Sequence, residues 1–175
     1  FLPNSTQGKT EDEIIEYCLK LAPNAKSVRT HCVYQYGALY EKLSRHGLMI
    51  DSSYFLSGYN EILPCYYHNT NGTLIKVPFI FADDYFLTFA EDRKVQVLED
   101  SLKTRGYLIY DFHPVHLFLN NITSEDYAKY KSSPNNTTID YSKKGAYFYF
   151  NYLINYIKTN KLETLKLSSI LNDND

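Results

Sequence analysis

The sequence predicts an α/β fold with a mainly parallel sheet. Short apolar runs alternate along the chain with amphipathic, helix-periodic segments, at the spacing of βαβ units. Each apolar run is followed directly by polar or ionisable side chains, as expected where strands end at the edge of a sheet that holds a site. A length of 175 residues, with no internal repeat and no linker, predicts one domain over residues 1–175.

The first half of the chain predicts two helices and three strands. Thr10 and Glu13 form a capping box, since the Thr10 side chain can accept from the N–H of Glu13 while the Glu13 side chain reaches back. Pro23 ends this first helix, and Gly47 suits the C′ position after the second. The remaining elements are a loop at 1–9, a strand at 25–30, a helix at 36–45, a strand at 48–50, a loop at 54–72 and a strand at 74–81 that Pro78 interrupts.

The second half is organised around the run from Tyr107 to Asn120. Its apolar, aromatic start predicts a strand buried on both faces, and Pro114 cannot donate to a sheet ladder, so His113 is expected at the strand's end. The other predicted elements are a helix at 92–104, a surface excursion at 121–144 with a short helix at 124–129, an aromatic helix at 145–158 and a final pairing or packing element at 162–171 that uses Leu165 and Leu167.

Candidate site residues follow the predicted strands. They are Arg29 and His31 after the first strand, Asp51 after the second, Asp83 and Asp84 after the third, and His113 and His116 after the fourth. Because the carboxyl ends of parallel strands lie on one face of a sheet or barrel, we expect these residues to meet at a common rim.

Each candidate also has a purely structural interpretation. Arg29 suits a carboxylate clamp or an ion pair, and Asp51 suits a site or the cap of a turn beside Ser52 and Ser53. Asp83 and Asp84 suit a cation site, a hydrogen-bonded acid or a solvated loop.

His113 and His116, three residues apart, would face opposite ways on a continuing strand but could converge in a tight turn. They are either packed among aromatic side chains or part of the site.

The strand-end residues suit hydrolysis of an amide or ester. This reaction needs an activated water, a general base, an acid for the leaving group and a stabiliser for the oxyanion. His113 suits the acid, with a carboxylate beside it that tunes its pKa. An aspartate with two histidines also suits Zn²⁺ with an open position, so Asp83, Asp84, His113 and His116 are a possible metal site of their own.

Composition excludes several classes of partner. The net charge is −2 and the Lys and Arg residues are scattered, so the sequence shows no basic cluster of the kind that binds nucleic acid or an anionic membrane. No apolar run reaches transmembrane length. Three cysteines without metal-type spacing argue against a disulfide framework and indicate a reducing, cytoplasmic compartment.

Four stretches together resemble one known family. They are residues 27–31 (SVRTH), 48–53 (LMIDSS), 77–84 (VPFIFADD) and 111–116 (DFHPVH) with Asn120. In order and spacing they look like a polysaccharide deacetylase of the NodB-homology group (carbohydrate esterase family four), and more narrowly its WbmS-like branch, over nearly the whole chain.

The resemblance implies a distorted (β/α) barrel and a metal-dependent hydrolase that removes N- or O-linked acetyl groups from a polysaccharide or lipid-linked sugar. It implies that Arg29 orients the catalytic base, that Asp51 is the fourth-motif acid and that His113 protonates the leaving group. His31, Asp83, Asp84 and His116 are expected to bind substrate or support the site. His31 replaces a frequent proline or aromatic residue, and Asp51 lacks the usual following Asp-Trp.

The family's first two motifs, which carry the base and the metal ligands, are expected upstream of Phe1. We therefore expect an N-terminally truncated, incomplete barrel without its first strands, inactive alone and able to self-associate through an unpaired strand edge. A divalent metal, zinc by expectation, would belong to the intact parent, and this chain itself could bind none. The alternative function is a non-catalytic carbohydrate-binding domain of the same fold.

Overall fold

The structure of the protein is a computed structural model, of which residues 5–171 are described. It is a mixed α/β structure in which the described part of the chain divides into two compact units. Unit 1 contains residues up to 55, 61–79 and those from 165 onward, and unit 2 contains residues 56–60 and 80–164. Residues 1–4 of the predicted N-terminal loop lie outside the described residues. The single-domain assignment stays a prediction.

Unit 1 is built on a sheet whose strand order is β1-β2-β5-β4. Strand β1 pairs in parallel with β2, β2 pairs in parallel with β5, and β4 pairs antiparallel with β5. The elements of this unit are α1 (Glu11–Leu21), β1 (Ser27–Val28), α2 (Gly37–Arg45), β2 (Ile50–Asp51), β3 (Glu61–Ile62), β4 (Cys65–Asn69) and β5 (Gly72–Lys76), with a final 3₁₀ turn at Leu167–Leu171.

The core of unit 1 lies between its two helices and the sheet. The buried members are Ile15 of α1, Leu39 and Leu43 of α2, Leu48, and Leu74 of β5. The predicted capping box is confirmed at the start of α1. Gly47 follows the C-cap residue of α2 with φ +77°, a left-handed conformation that glycine adopts without strain.

Among its described residues, unit 2 contains a parallel pair of short strands, five α-helices and a 3₁₀ turn at Pro134–Asn136. Its elements are β6 (Phe81–Ala82), α3 (Asp83–Phe86), α4 (Glu91–Ser101), β7 (Arg105–Gly106), β8 (Tyr110–Asp111), α5 (Pro114–Leu119), α6 (Ser124–Ser132) and α7 (Ala146–Thr159). Phe81 packs against Phe86 and Phe112, and Phe86 packs against Tyr149 of α7. These rings form an aromatic core next to the β6–β8 pair.

Several sequence predictions need correction. The loop at 54–72 is wrong, because β4 and β5 form an antiparallel hairpin in which Asn69 lies opposite Gly72. The strand after Gly106 is shorter than predicted and is only half-buried from residue 107 to residue 112. Leu165 is 55 % exposed, and Ile170 is the buried residue of the final element.

Proline residues decide two boundaries. Pro78 separates β5 of unit 1 from β6 of unit 2, so the predicted single strand at 74–81 is two strands in different sheets. Pro114 occupies the first position of α5, where its missing N–H is not needed, and this short helix was not predicted.

None of the helices in residues 5–171 combines the length and the apolar character that a membrane crossing requires.

Gly145 joins α7 to the end of α5 through a close backbone contact. Asn120, the left-handed C-cap of α5, donates through Nδ2 to the carbonyl of Asp140 at 2.7 Å and accepts from the N–H of Tyr147 at 3.1 Å. A Cβ atom at Gly145 would overlap the carbonyl and side-chain oxygens of Asn120.

We therefore expect Gly145→Ala to lower the free energy of unfolding by about 1–3 kcal/mol, because the added methyl group must displace Asn120. Gly37→Ala is the matched control. Its Cβ would meet only the hydroxyl of Tyr67 at 3.8 Å in the first turn of α2, so the substitution should be neutral or stabilising by up to about 1 kcal/mol. Urea denaturation measures both. Equal stability of Gly145→Ala and the parent would contradict the packing described.

Candidate active site

Asp83 and His113 are brought together by the register of the short sheet in unit 2. Ala82 of β6 lies opposite Asp111 of β8 in a parallel pair. The chain therefore leaves both strands at the same edge, where Asp83 begins α3 and His113 caps α5. Two candidates from separate predicted strands meet there, as the sequence indicates for parallel strand ends.

The Asp83 carboxylate is buried, with 1 % of the residue exposed, and it organises this site. Its Oδ2 accepts from the backbone N–H of His113 at 2.8 Å, and its Oδ1 lies 2.6 Å from Nδ1 of the same residue. Nδ1 of His116 lies 3.3 Å from Oδ1, but it is not aligned for a hydrogen bond, so we treat that contact as electrostatic. One carboxylate thus contacts both histidines, as the tight-turn alternative requires.

The cluster shifts the pKa values of its members. Burial raises the pKa of Asp83, but the contacts from His116 and His113 outweigh it, and the net pKa is lowered. Burial lowers the pKa of His113, but the hydrogen bond and the charge of Asp83 outweigh it, and the net pKa is raised. The His113 side chain is 44 % exposed, so this ring with its raised pKa is accessible to a ligand.

The same three side chains fit a divalent metal. The donor atoms of Asp83, His113 and His116 all lie within 4.8 Å of one another, and one carboxylate with two imidazoles is a donor set that zinc accepts. His116 is 8 % exposed, and its buried Nδ1 has no hydrogen-bond partner among the described residues. A buried nitrogen without such a partner is costly unless it serves a further function, and a metal would use its lone pair.

Unit 1 carries a second cluster, at the ends of β1 and β2. Nε of Arg29 donates to the carbonyl of Ser52 at 3.0 Å, and its guanidinium lies 4.6 Å from the ring centre of Phe79. The N–H of Thr30 donates to Oγ of Ser53 at 2.8 Å. Arg29 is therefore held over the segment that follows Asp51. Ser53 belongs to this network although its sequence position had suggested only a turn.

Asp51 occupies the buried centre of this second cluster. Its Oδ1 accepts from the N–H of Ser53 at 3.0 Å, which is the turn-capping arrangement considered from the sequence. Its Oδ2 is buried and has no hydrogen-bond partner among residues 5–171. Burial raises the pKa of Asp51, against the opposing contributions of Ser53 and the charge of Lys76. The Asp51 carboxylate thus caps a turn, and its pKa is also shifted, as the pKa values of residues in functional sites often are.

The two remaining candidates lie apart from these contacts. The Asp84 side chain is exposed and accepts from the N–H of Tyr85 at 2.7 Å, so the adjacent acids Asp83 and Asp84 do not act as a pair. His31 is exposed at the start of a 3₁₀ turn in which Cys32 and Val33 have φ angles of 54° and 49°. Positive φ at a β-branched residue is strained, and such strain is often found near functional sites.

One family model and one solved structure match this chain. The family model described as WbmS-like polysaccharide deacetylase matches residues 1–131. Among solved structures, WbmS of Bordetella bronchiseptica, a proposed polysaccharide deacetylase involved in O-antigen biosynthesis, is similar with a TM-score of 0.67 and 19% sequence identity. The alignment covers 87% of this chain and 64% of that one, so the chain spans less than two thirds of the relative's length. No curated protein sequence matches significantly.

Replacing Asp51 should stabilise the fold at neutral pH. The folded pKa of Asp51 lies above its unfolded value, so its contribution to stability is greatest below that unfolded value and falls as pH rises through the folded pKa. We expect Asp51→Asn to raise the free energy of unfolding at pH 7 by about 1–2 kcal/mol, because the buried ionised group is removed.

The gain from Asp51→Asn should shrink as pH falls through the raised folded pKa, and it should be lost below about pH 4, where the parent residue is protonated in both states. Asp84→Asn, at an exposed carboxylate, is the control and should change stability by less than about 0.5 kcal/mol. Thermal unfolding from pH 3 to pH 8 provides the measurement. A destabilised Asp51→Asn at pH 7 would show that the ionised group is needed by the fold.

Proposed function

The chain belongs to the WbmS-like family of polysaccharide deacetylases, and we propose on this basis that it hydrolyses N- or O-linked acetyl groups of a polysaccharide or a lipid-linked sugar. The observation that carries the proposal is the contact of His113 with Asp83. A half-exposed imidazole with a raised pKa, held at 2.6 Å by a buried carboxylate, is a suitable proton donor for a leaving group.

The reaction needs a proton at the atom that leaves. Water adds to the acetyl carbonyl, the bond from the carbonyl carbon to nitrogen or oxygen of the sugar breaks, and acetate is released. We assign to His113 the donation of a proton to that sugar nitrogen or oxygen, with Asp83 holding the ring in place. Neutral imidazole then recovers a proton from solvent.

Arg29 and Asp51 complete the proposed catalytic set. The resemblance assigns to Arg29 the orientation of the base and to Asp51 the fourth-motif acid. Two observations support these roles: the guanidinium is fixed on Ser52 and Phe79, and the Asp51 carboxyl is buried with a raised pKa. His31, Asp84 and His116 are proposed as substrate-binding or supporting residues. Convergence of both clusters on one cleft stays a prediction.

The Nδ1 atom of His116, which has no hydrogen-bond partner among residues 5–171, favours a second assignment of the Asp83 cluster. In it, Asp83, His113 and His116 would hold a divalent metal, with zinc as the expected ion. When bound, such an ion supplies polarisation of the carbonyl and a water of lowered pKa. A ring nitrogen of His113 that binds a metal cannot at the same time carry the proton that it would donate to the leaving group, so the two assignments exclude each other.

The remaining expectations also stand as proposals. The parallel strands and the likeness to the Bordetella structure support a distorted barrel, and the 64% coverage supports the view that this chain corresponds to part of a longer deacetylase domain. The free thiols of Cys18, Cys32 and Cys65 support a reducing, cytoplasmic location. An acetylated glycan is the proposed partner, and self-association through a strand edge is proposed at β1, an end strand of its sheet.

Substitution of the two histidines separates the two assignments of the cluster. If His113 donates the proton, His113→Ala should reduce kcat by about 10²–10⁴-fold, whereas His116→Ala should reduce it less than about tenfold. The assay measures acetate release from N- and O-acetylated oligosaccharides by the protein in the form that its organism produces. The zinc affinity of the parent and of each variant is measured by titration. His68→Ala, at an exposed histidine of β4, is the control.

A metal centre in place of a proton donor would be shown by three results together. The parent would bind one equivalent of zinc, both variants would lose it equally, and both would lose turnover equally. Unchanged turnover in His113→Ala would exclude both assignments of the cluster. A parent that releases no acetate but still binds the oligosaccharide would instead be better described as a non-catalytic carbohydrate-binding domain.

The chain of 175 residues alone is expected to show little or no turnover, because it spans only 64% of its structural relative. Acetate release from an acetylated oligosaccharide with added Zn²⁺ measures this directly, with folding checked by circular dichroism. Robust turnover by the folded chain would show that it holds the full catalytic machinery.

A further inference from the structure

Unit 2 contains a cavity of about 480 Å³ beyond the end of α5. This volume lies within the range of about 300–1,000 Å³ that is usual for small-molecule sites. Its wall is formed by the segment from α5 to α6, by α6 itself and by residues 136–143. Leu119 and Ile122 are its only apolar lining residues among those described, which is unusual because ligand sites are mostly apolar.

Asp126 forms one side of the cavity with a fixed geometry. Its Oδ2 accepts from the backbone N–H groups of Ile122 at 2.8 Å and Thr123 at 2.9 Å, which completes the capping box of α6. Its Oδ1 lies 3.6 Å from Nζ of Lys129, whose side chain is 70% exposed. One oxygen is thus anchored by the backbone, while the other is left for a lysine or a ligand.

Asp140 repeats this arrangement on the facing segment. Its Oδ1 accepts from the backbone N–H and the hydroxyl of Ser142, and its Oδ2 lies 3.8 Å from Nζ of Lys143. The Nδ2 group of Asn120 donates to the backbone carbonyls of Asp140 and Lys143 at 2.7 and 3.1 Å. This wall is therefore tied to the C-terminal end of α5.

The lining favours a neutral ligand rich in hydroxyl groups. Two lysines and two aspartates leave no net charge for a phosphate or a metal ion, and the other polar groups are amides and hydroxyls. Each hydroxyl of a sugar both donates and accepts, so it can use ammonium donors and carboxylate acceptors at the same time. Hydrogen bonds to charged groups are also stronger than those between neutral groups.

The cavity lies at the opposite end of α5 from His113, the proposed proton donor. Helix α5 begins after His113 and ends in the cavity wall at Leu119, and its six residues span about 9 Å. We propose that the cavity binds a neutral sugar unit of the glycan, close to the unit whose acetyl group is removed at His113. This assignment rests on the proposed deacetylase function for the identity of the glycan.

Two pairs of adjacent residues provide matched variants. Asn136 and Lys143 line the cavity, whereas their neighbours Asn135 and Lys144 do not. The probe is the tetramer of N-acetylglucosamine, titrated into the full chain by isothermal calorimetry, with inorganic phosphate and calcium chloride as competing probes. We expect Asn136→Ala and Lys143→Ala to weaken binding of the tetramer about five- to tenfold, and Asn135→Ala and Lys144→Ala to leave it unchanged.

The outcomes separate this assignment from the deacetylase proposal. Equal binding by all four variants, no binding of the tetramer, or tighter binding of phosphate or calcium would overturn it. His68→Ala should retain binding, since His68 is exposed and outside the cavity lining. Selective loss of tetramer binding at Asn136 and Lys143 would support the cavity whether or not this chain releases acetate. The deacetylase proposal is tested separately, by the turnover measurements on the His113 variant.

Discussion

A buried carboxylate is the constraint on which the site of unit 2 depends. Asp83 is removed from water, and an isolated charge in that position would cost several kcal/mol. The backbone N–H and the ring of His113 supply the compensation, and Nδ1 of His116, 3.3 Å from Oδ1, adds an electrostatic contact. The contact serves both residues. Asp83 needs hydrogen-bond donors because it is buried, and the same contact orients the His113 imidazole, which is exposed to a ligand.

The register of two very short strands makes this contact possible. Strands β6 and β8 have two residues each. Because they pair in parallel, both end at the same edge, where Asp83 follows β6 and His113 lies two residues after the end of β8. Aromatic contacts around Phe81 stabilise so short a pair, since ladder hydrogen bonds alone would be marginal. Pro114 then starts α5 at once, and one helical turn carries His116 back toward the carboxylate.

The sequence predicts that Asp83 and His113 meet at neighbouring strand ends, but it predicts less well how the surrounding elements are arranged. The predicted strand ends include Asp51, Asp83 and His113, because a polar residue directly after an apolar run can be recognised in the sequence alone. The different environments of Asp83 and Asp84 could not be foreseen, since the start of a four-residue helix decides which one is buried. The β4–β5 hairpin was missed because most of β4 is exposed and shows no apolar alternation, although Asn71-Gly72 was an available turn signal.

Buried polar atoms without hydrogen-bond partners give an independent indication of function. Among the described residues they belong to Asp51, His116, Asn121 and Tyr149. Each such atom costs about 1–3 kcal/mol, so a fold tolerates few of them without a compensating use. Asp51 and His116 were selected from the sequence by strand position alone, and the structure selects them again by an unrelated energetic criterion. Asn121 and Tyr149 meet the same energetic criterion without having been selected from the sequence, and Nδ1 of His116 keeps an electrostatic contact with Asp83, so the criterion is consistent with the proposed roles of Asp51 and His116 without assigning them.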